Sequence, residues 1–126
     1  MTDSQFADAV RATFDAFNGR RFEEFATHVA DDVVEIYPQS GERLEGRAKQ
    51  RAMREAFLGP PTFAVRDIHR DGNLAVVELD ERYADGSVWK TAFILQLRDG
   101  LIASMTGYFG EPFAAPEWRR PFRVAP

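Results

Sequence analysis

Phe6, Val10, Phe14 and Phe17 recur at steps of four, four and three residues along the start of the chain. That spacing puts the side chains on one face of a helix. Thr2 and Gln5 are placed to form a capping box at its start, and Asn18-Gly19 ends it. A second, shorter helix follows, with Phe22, Phe25 and Val29 on one side and Asp31-Asp32 closing it. The β-branched run Val33-Val34-Glu35-Ile36-Tyr37 then reads as a strand. Pro38 has no N–H to give a ladder, so the strand stops there or lies at an edge. Between Gly46 and Gly59-Pro60-Pro61 a third helix is expected over 47–58, with Ala48, Ala52, Met53, Ala56 and Phe57 inward.

Beyond the prolines the period changes to two. Strands are expected at 62–70, 73–84, 87–98 and 101–110, separated by Asp71-Gly72, Asp85-Gly86 and Asp99-Gly100. Asp-Gly pairs between alternating segments are strong hairpin signals, so these four strands form an antiparallel meander. Residues 111–126 contain four prolines and read as an extended C-terminal flap. The order defines a single α+β domain over 1–126. Its cone-shaped, curved antiparallel sheet, a half-barrel, wraps over three N-terminal helices. A sheet curved in this way leaves a conical space of the kind that holds small ligands.

Composition narrows the function classes. With 126 residues, 44% of them apolar and eleven of them Phe, the chain supports one core with apolar surface to spare for a cavity. Cysteine is absent, which removes disulfides and thiolate chemistry. The start of the chain lacks a basic segment followed by an apolar run, and no stretch of about 18 apolar residues occurs. A cytoplasmic protein with no membrane partner is therefore expected. A net charge of −4 argues against nucleic-acid binding. Two histidines without cysteine do not suit a tetrahedral zinc site, so no metal or other cofactor is expected.

The segments ADDVVEIYP (30–38) and ASMTGYFGE (103–111) resemble the first and last strands of ketosteroid isomerases. YPQSGERLEGR (37–47) and YFGEPFAAPEWRRPF (108–122) resemble a bacterial group of SnoaL-like proteins, polyketide cyclase relatives in the nuclear transport factor 2-like superfamily. The resemblance covers nearly the whole chain and implies the cone fold. It also implies homodimers paired through the outer sheet face. The isomerases take a proton with an aspartate and hold the oxyanion with a tyrosine and a protonated aspartate. The matching positions here are Tyr37, Thr13 and Phe93 or Leu95, so that reaction is not expected. Tyrosine with a pKa near 10 is only about 0.1% ionised at neutral pH, and a dry cavity lowers that fraction. Tyr37 is thus read as a hydrogen-bond donor, not a base.

Aligned with the isomerases, strand alternation sends Val77, Leu79, Glu81 and Tyr83 to the cavity face. Trp89, Thr91, Phe93 and Leu95 share it, as do Met105, Gly107 and Phe109. This face reads either as a packed core or as the lining of an open pocket. The ligand contacts expected in the second case are Tyr37, Val77, Leu79, Tyr83, Trp89, Phe93, Met105 and Phe109. Glu78, Asp80, Arg82, Gln96 and Arg98 would face outward. Candidates for proton transfer are Glu35, Glu81, Tyr37 and His28. Each has a plainer alternative: for Glu35 a salt bridge to an arginine, for His28 a place at a helix end facing water. Arg47, Arg51 and Arg54 make a basic stripe whose usual meaning is a solvated helix face. Trp118 and Arg119 suggest a tail that docks over the pocket mouth, onto a second subunit, or across the chain's own sheet.

Three readings of function follow. One is a pocket protein for a small apolar or cyclic ligand. The second is an enzyme (cyclase, isomerase, dehydratase or hydrolase) using Glu35 or Glu81. The third is a homodimeric interaction module without catalysis.

Overall fold

A computed structural model describes residues 1–125. Helix α1 spans Asp3–Asn18, and its capping box is formed: Gln5 N–H donates to Thr2 Oγ1 (3.1 Å) and Thr2 N–H to Gln5 Oε1 (2.8 Å). Its apolar face buries Phe6, Val10, Phe14 and Phe17. Helix α2 is Phe22–Ala26 and β1 is Val29–Tyr37. The strand thus begins four residues before the β-branched run. Asp31 and Asp32 lie inside it as exposed residues, where a register shift between Val29 and Val34 interrupts pairing with the last strand. Val29 belongs to this strand, not to α2. His28 sits in the turn between them, where its C=O accepts Ile102 N–H at 2.9 Å.

After Pro38 the chain turns at Gly41 (φ +78°) into a short strand, β2 (Glu42–Glu45), antiparallel to β1. Four polar-dominated residues carry no apolar alternation, so the sequence pattern gives no sign of this strand. Helix α3 (Arg47–Ala56) ends sooner than expected and presents a different face. Ala48, Ala52 and Ala56 are exposed, Phe57 is 40% exposed, and the buried residues are Gln50 and Arg54. The reason lies in β1, which offers α3 a buried carboxylate that needs donors.

Strands β3 (Thr62–Asp71), β4 (Leu74–Arg82), β5 (Val88–Arg98) and β6 (Leu101–Gly110) follow as an antiparallel meander. At the last hairpin Asp99 and Gly100 both take positive φ, +55° and +77°, as a twist-matched two-residue turn requires. The six strands form one sheet in the order β2-β1-β6-β5-β4-β3, with β1 parallel to β6. The sheet is curved and unclosed, and the helices cover its inner face. Val77, Leu79, Leu95 and Met105 pack there against Phe6, Val10 and Phe14.

Two amide side chains complete strands where backbone pairing stops. Phe63 on edge strand β3 gives its N–H to Asn18 Oδ1 and receives Asn18 Nδ2 at its C=O, both at 2.8 Å. Gln39, just past the proline corner, does the same for Phe109 on β6, at 2.6 and 2.9 Å. Each amide supplies the donor and acceptor of a missing strand residue.

The outer sheet face carries one charge that is buried. Asp80 is 5% exposed, ringed by Lys90 (2.7 Å), Arg82 (3.5 Å) and Arg66 (3.6 Å). These cations, Lys90 first, hold its carboxyl below the usual range. The tail is not wholly extended either, since Glu117–Phe122 form a 3-10 turn. Phe113, Trp118 and Phe122 are 80%, 72% and 83% exposed, so the tail is not packed across its own sheet. Pro126, the last residue of the expected flap, lies outside the described residues.

Asn18→Ala strips both partners from Phe63 and should lower the unfolding free energy by about 1–3 kcal/mol in urea titrations. A loss below a few tenths would show that water replaces the amide freely.

Candidate ligand cavity and its two carboxylates

The wide end of the cone is not filled. A cavity of about 440 Å³ lies between the sheet, α1 and α3, within the size range of small-molecule sites. Phe63, Phe93, Phe109, Tyr37, Tyr83 and Trp89 are among the residues of its wall, with Met53, Arg54 and Glu81. Phe93 and Phe109 meet edge to face (5.7 Å, 90°) and Tyr37 meets Phe109 at 5.6 Å. Of the residues expected to contact a ligand, Tyr37, Tyr83, Trp89, Phe93 and Phe109 reach the cavity. Val77, Leu79 and Met105 do not: they are buried in the packed core with the apolar face of α1.

Glu35 and Tyr37 are two residues apart on β1 and so share a face. Glu35 is 1% exposed. Its Oε1 accepts Arg54 Nη2 and Gln50 Nε2, each at 2.7 Å, and its Oε2 accepts the Tyr37 hydroxyl. Gln50 and Arg54 reach it together because four residues make one helical turn. The rest of the Arg54 guanidinium, Nε and Nη1, has no hydrogen-bond acceptor among the described residues. It lies 4.6 Å over the Phe25 ring and 5.8 Å from that of Phe17, whose π faces take the place of an acceptor. Burial first, and then the Glu35 charge, push the Tyr37 phenol far above its ordinary value. Tyr37 is a neutral donor already committed to Glu35. Arg54, far from a solvated stripe, is the buried counter-ion of this carboxylate.

Glu81 stands in contrast. It is 2% exposed on β4, and its oxygens accept only hydroxyls: Thr91 Oγ1 at 2.9 Å and Tyr83 Oη at 3.1 Å. Among the described residues no Lys, Arg or His pairs with it. Burial raises its carboxyl above the ordinary 4.5, and the two hydroxyls only partly oppose this. Burial and the Glu81 charge raise Tyr83 in turn to about 12, which keeps it a donor at neutral pH. Trp89 faces Glu81 directly across the β4–β5 ladder and its ring lies 5.4 Å from that of Tyr83.

The other candidates lie elsewhere. His28 is half-buried in its turn and does not line the cavity. Thr13, at the isomerase tyrosine position, gives its hydroxyl to Ala9 C=O at 2.7 Å. His69 is exposed beside Glu78 (2.8 Å) and Asp67 (3.6 Å), which raise its pKa. Sequence reasoning missed Gln39, Gln50 and Phe63, and misplaced Arg54. The available signal was Glu35 itself, since a carboxylate on an inward strand face demands a cation. Arg54 is one helical turn from a second donor.

Taken together, the open cone, helix cover and aromatic cavity define a nuclear transport factor 2-like domain. The SnoaL-like domain family model matches residues 10–105, and the chain belongs to that family. An NTF-2-like protein of unknown function from Burkholderia xenovorans LB400 is 33% identical, over 98% of this chain and 96% of that one, with a TM-score of 0.86. A Kribbella flavida DSM 17836 protein, provisionally named a ketosteroid isomerase, is 30% identical over 98% and 92% of the two chains, also at 0.86. TerC, crystallised with polyporic acid, shares the fold at 21% identity over 82% and 90%, with a TM-score of 0.72. Comparison with curated proteins gives no match.

Arg54→Ala leaves Glu35 buried without its cation and should cost about 3–5 kcal/mol in urea unfolding. Adding Glu35→Gln should recover a substantial part of it. A second prediction concerns pH. Glu81 holds its proton more tightly folded than unfolded. Its contribution to stability is full below the ordinary 4.5 and fades as pH rises through the raised folded value. Wild type should therefore lose stability relative to Glu81→Gln over that interval, and parallel curves would show that Glu81 is not shifted.

Proposed function

We propose that the cavity binds a small, mostly apolar cyclic molecule and that Glu81 exchanges a proton with it. The observation that carries this reading is the environment of Glu81: a buried carboxylate on the cavity wall, held by two hydroxyls and neutralised by no cation. Such a group ionises closer to neutrality than an ordinary glutamate and suits general acid–base work. Tyr83 and Thr91 fix its orientation, and Trp89, Phe93 and Phe109 supply flat apolar surface. Glu35 is the weaker candidate, because Arg54 holds its charge and Tyr37 covers its second oxygen. TerC, a protein of this fold, was crystallised with a small organic molecule, which supports a ligand of that kind here. A ketosteroid isomerase mechanism is not proposed. The three positions matched to those on which it depends carry Tyr37, Thr13 and Phe93 or Leu95, whatever the name given to the Kribbella relative.

N-phenyl-1-naphthylamine, an apolar aromatic fluorophore, should brighten on binding, and Met53→Trp, which fills the cavity, should abolish the signal. No brightening at the solubility limit of the probe would overturn the binding reading. Carboxyl carbon NMR titration should place Glu81 above the ordinary glutamate range. An unshifted value would remove it as the proton carrier.

A second reading concerns partners. The exposed Phe113, Trp118 and Phe122 favour a homodimer in which the tail of each copy covers the other. Sedimentation should show a dimer that weakens when residues 111–126 are deleted. A monomer at high concentration would refute it.

A further inference from the structure

We infer that the occupant of this cavity is a cation, an organic ammonium carrying an apolar ring, with its nitrogen against Glu81 and the rings of Tyr83 and Trp89. This rests on the cavity being a binding site and adds the charge of what binds there.

The first observation is the balance of charge. Among the described residues Arg54 is the one cationic side chain on the cavity wall, and Glu35 already holds it at 2.7 Å. Glu81 and the rim residue Glu42 remain, and neither is paired with a cation among the described residues. A ligand bearing one positive charge would neutralise the buried carboxylate that the protein leaves uncompensated. An anion would meet it as a like charge in a medium of low dielectric.

The second observation is the supply of hydrogen-bond donors. Tyr37 and Tyr83 give their hydroxyl hydrogens to Glu35 and Glu81, Ser40 gives its own to Glu42, and Gln39 Nε2 binds Phe109 C=O. The remaining nitrogens of Arg54 are buried against phenyl rings. Among the described wall residues the Trp89 indole and one amide hydrogen of Gln39 at the rim are left without an acceptor. A carboxylate or phosphate ligand, which needs several donors, is poorly served. An ammonium needs acceptors and π faces, and these are what the wall offers.

The third is placement. Phe63 and Trp89 face Glu81 from the flanking strands, and Tyr83 follows two residues later, just past the end of β4. A carboxylate with aromatic rings on both sides combines the two features that recognise alkylated ammonium groups. With a protonated amine, the N–H⁺ proton would pass to a Glu81 oxygen and return. No bond other than N–H and O–H changes.

The test is displacement of N-phenyl-1-naphthylamine by three phenyl-bearing ligands of similar size. Benzyltrimethylammonium is the cation, neopentylbenzene its neutral isostere, and 3-phenylpropanoate the anion. The cation should bind at least about tenfold tighter than the neutral isostere, with the anion weakest. In both Glu81→Gln and Trp89→Leu that advantage should shrink to within about threefold. Retention of the full advantage in folded Glu81→Gln would overturn the assignment of the site. Equal or tighter binding of neopentylbenzene to wild type would overturn the cation inference while leaving the cavity reading intact. Failure of the fluorophore itself to bind would remove both.

Discussion

Burial of one carboxylate organises the helix side of this domain. Glu35 sits on the inner face of β1, almost sealed from solvent, and an isolated carboxylate there would be very costly. Its two oxygens receive an arginine, a glutamine and a tyrosine. To deliver two of these donors, α3 must turn its polar face inward and leave its alanines in water, against the ordinary rule for helix burial. The same turn lays Arg54 over Phe25 and so ties α2 to α3. Tyr37, drawn back to Glu35, places its ring against Phe109 and forms part of the cavity rim.

Much of this was legible from pattern alone. The capping box, the phenylalanine stripe of α1, the meander and its Asp-Gly turns rest on short-range rules, and the structure keeps them. What pattern could not supply were features set by long-range partners. The inward face of α3 depends on Glu35, some fifteen to nineteen residues earlier. β2 exists because the Pro38 corner returns the chain alongside β1, not because its residues favour a strand. Alternation does assign Val77, Leu79 and Met105 to the inner face. It cannot say where along the cone the packing stops, since that depends on how far α1 reaches.

The cavity survives because of how its ends are treated. At the narrow end, aliphatic side chains and the α1 phenylalanines interlock. At the wide end the wall is made of rings that brace one another edge to face. Aromatic groups held in this way span space without collapsing into it, because each ring is fixed by its neighbours. Gln39 adds a polar tie across the rim, fastening the proline corner to β6.

The two carboxylates differ most in what surrounds them, and this bears on how such a domain changes over generations. Glu35 is locked to three partners from two elements, so replacing it disturbs the scaffold. Glu81 is held by two hydroxyls that can serve a neutral amide nearly as well. A single-base change from a glutamate to a glutamine codon would silence the second carboxylate while sparing the fold, and the reverse change would restore it. A lineage built on this arrangement can change the charge at position 81 without first having to find a new way to fold.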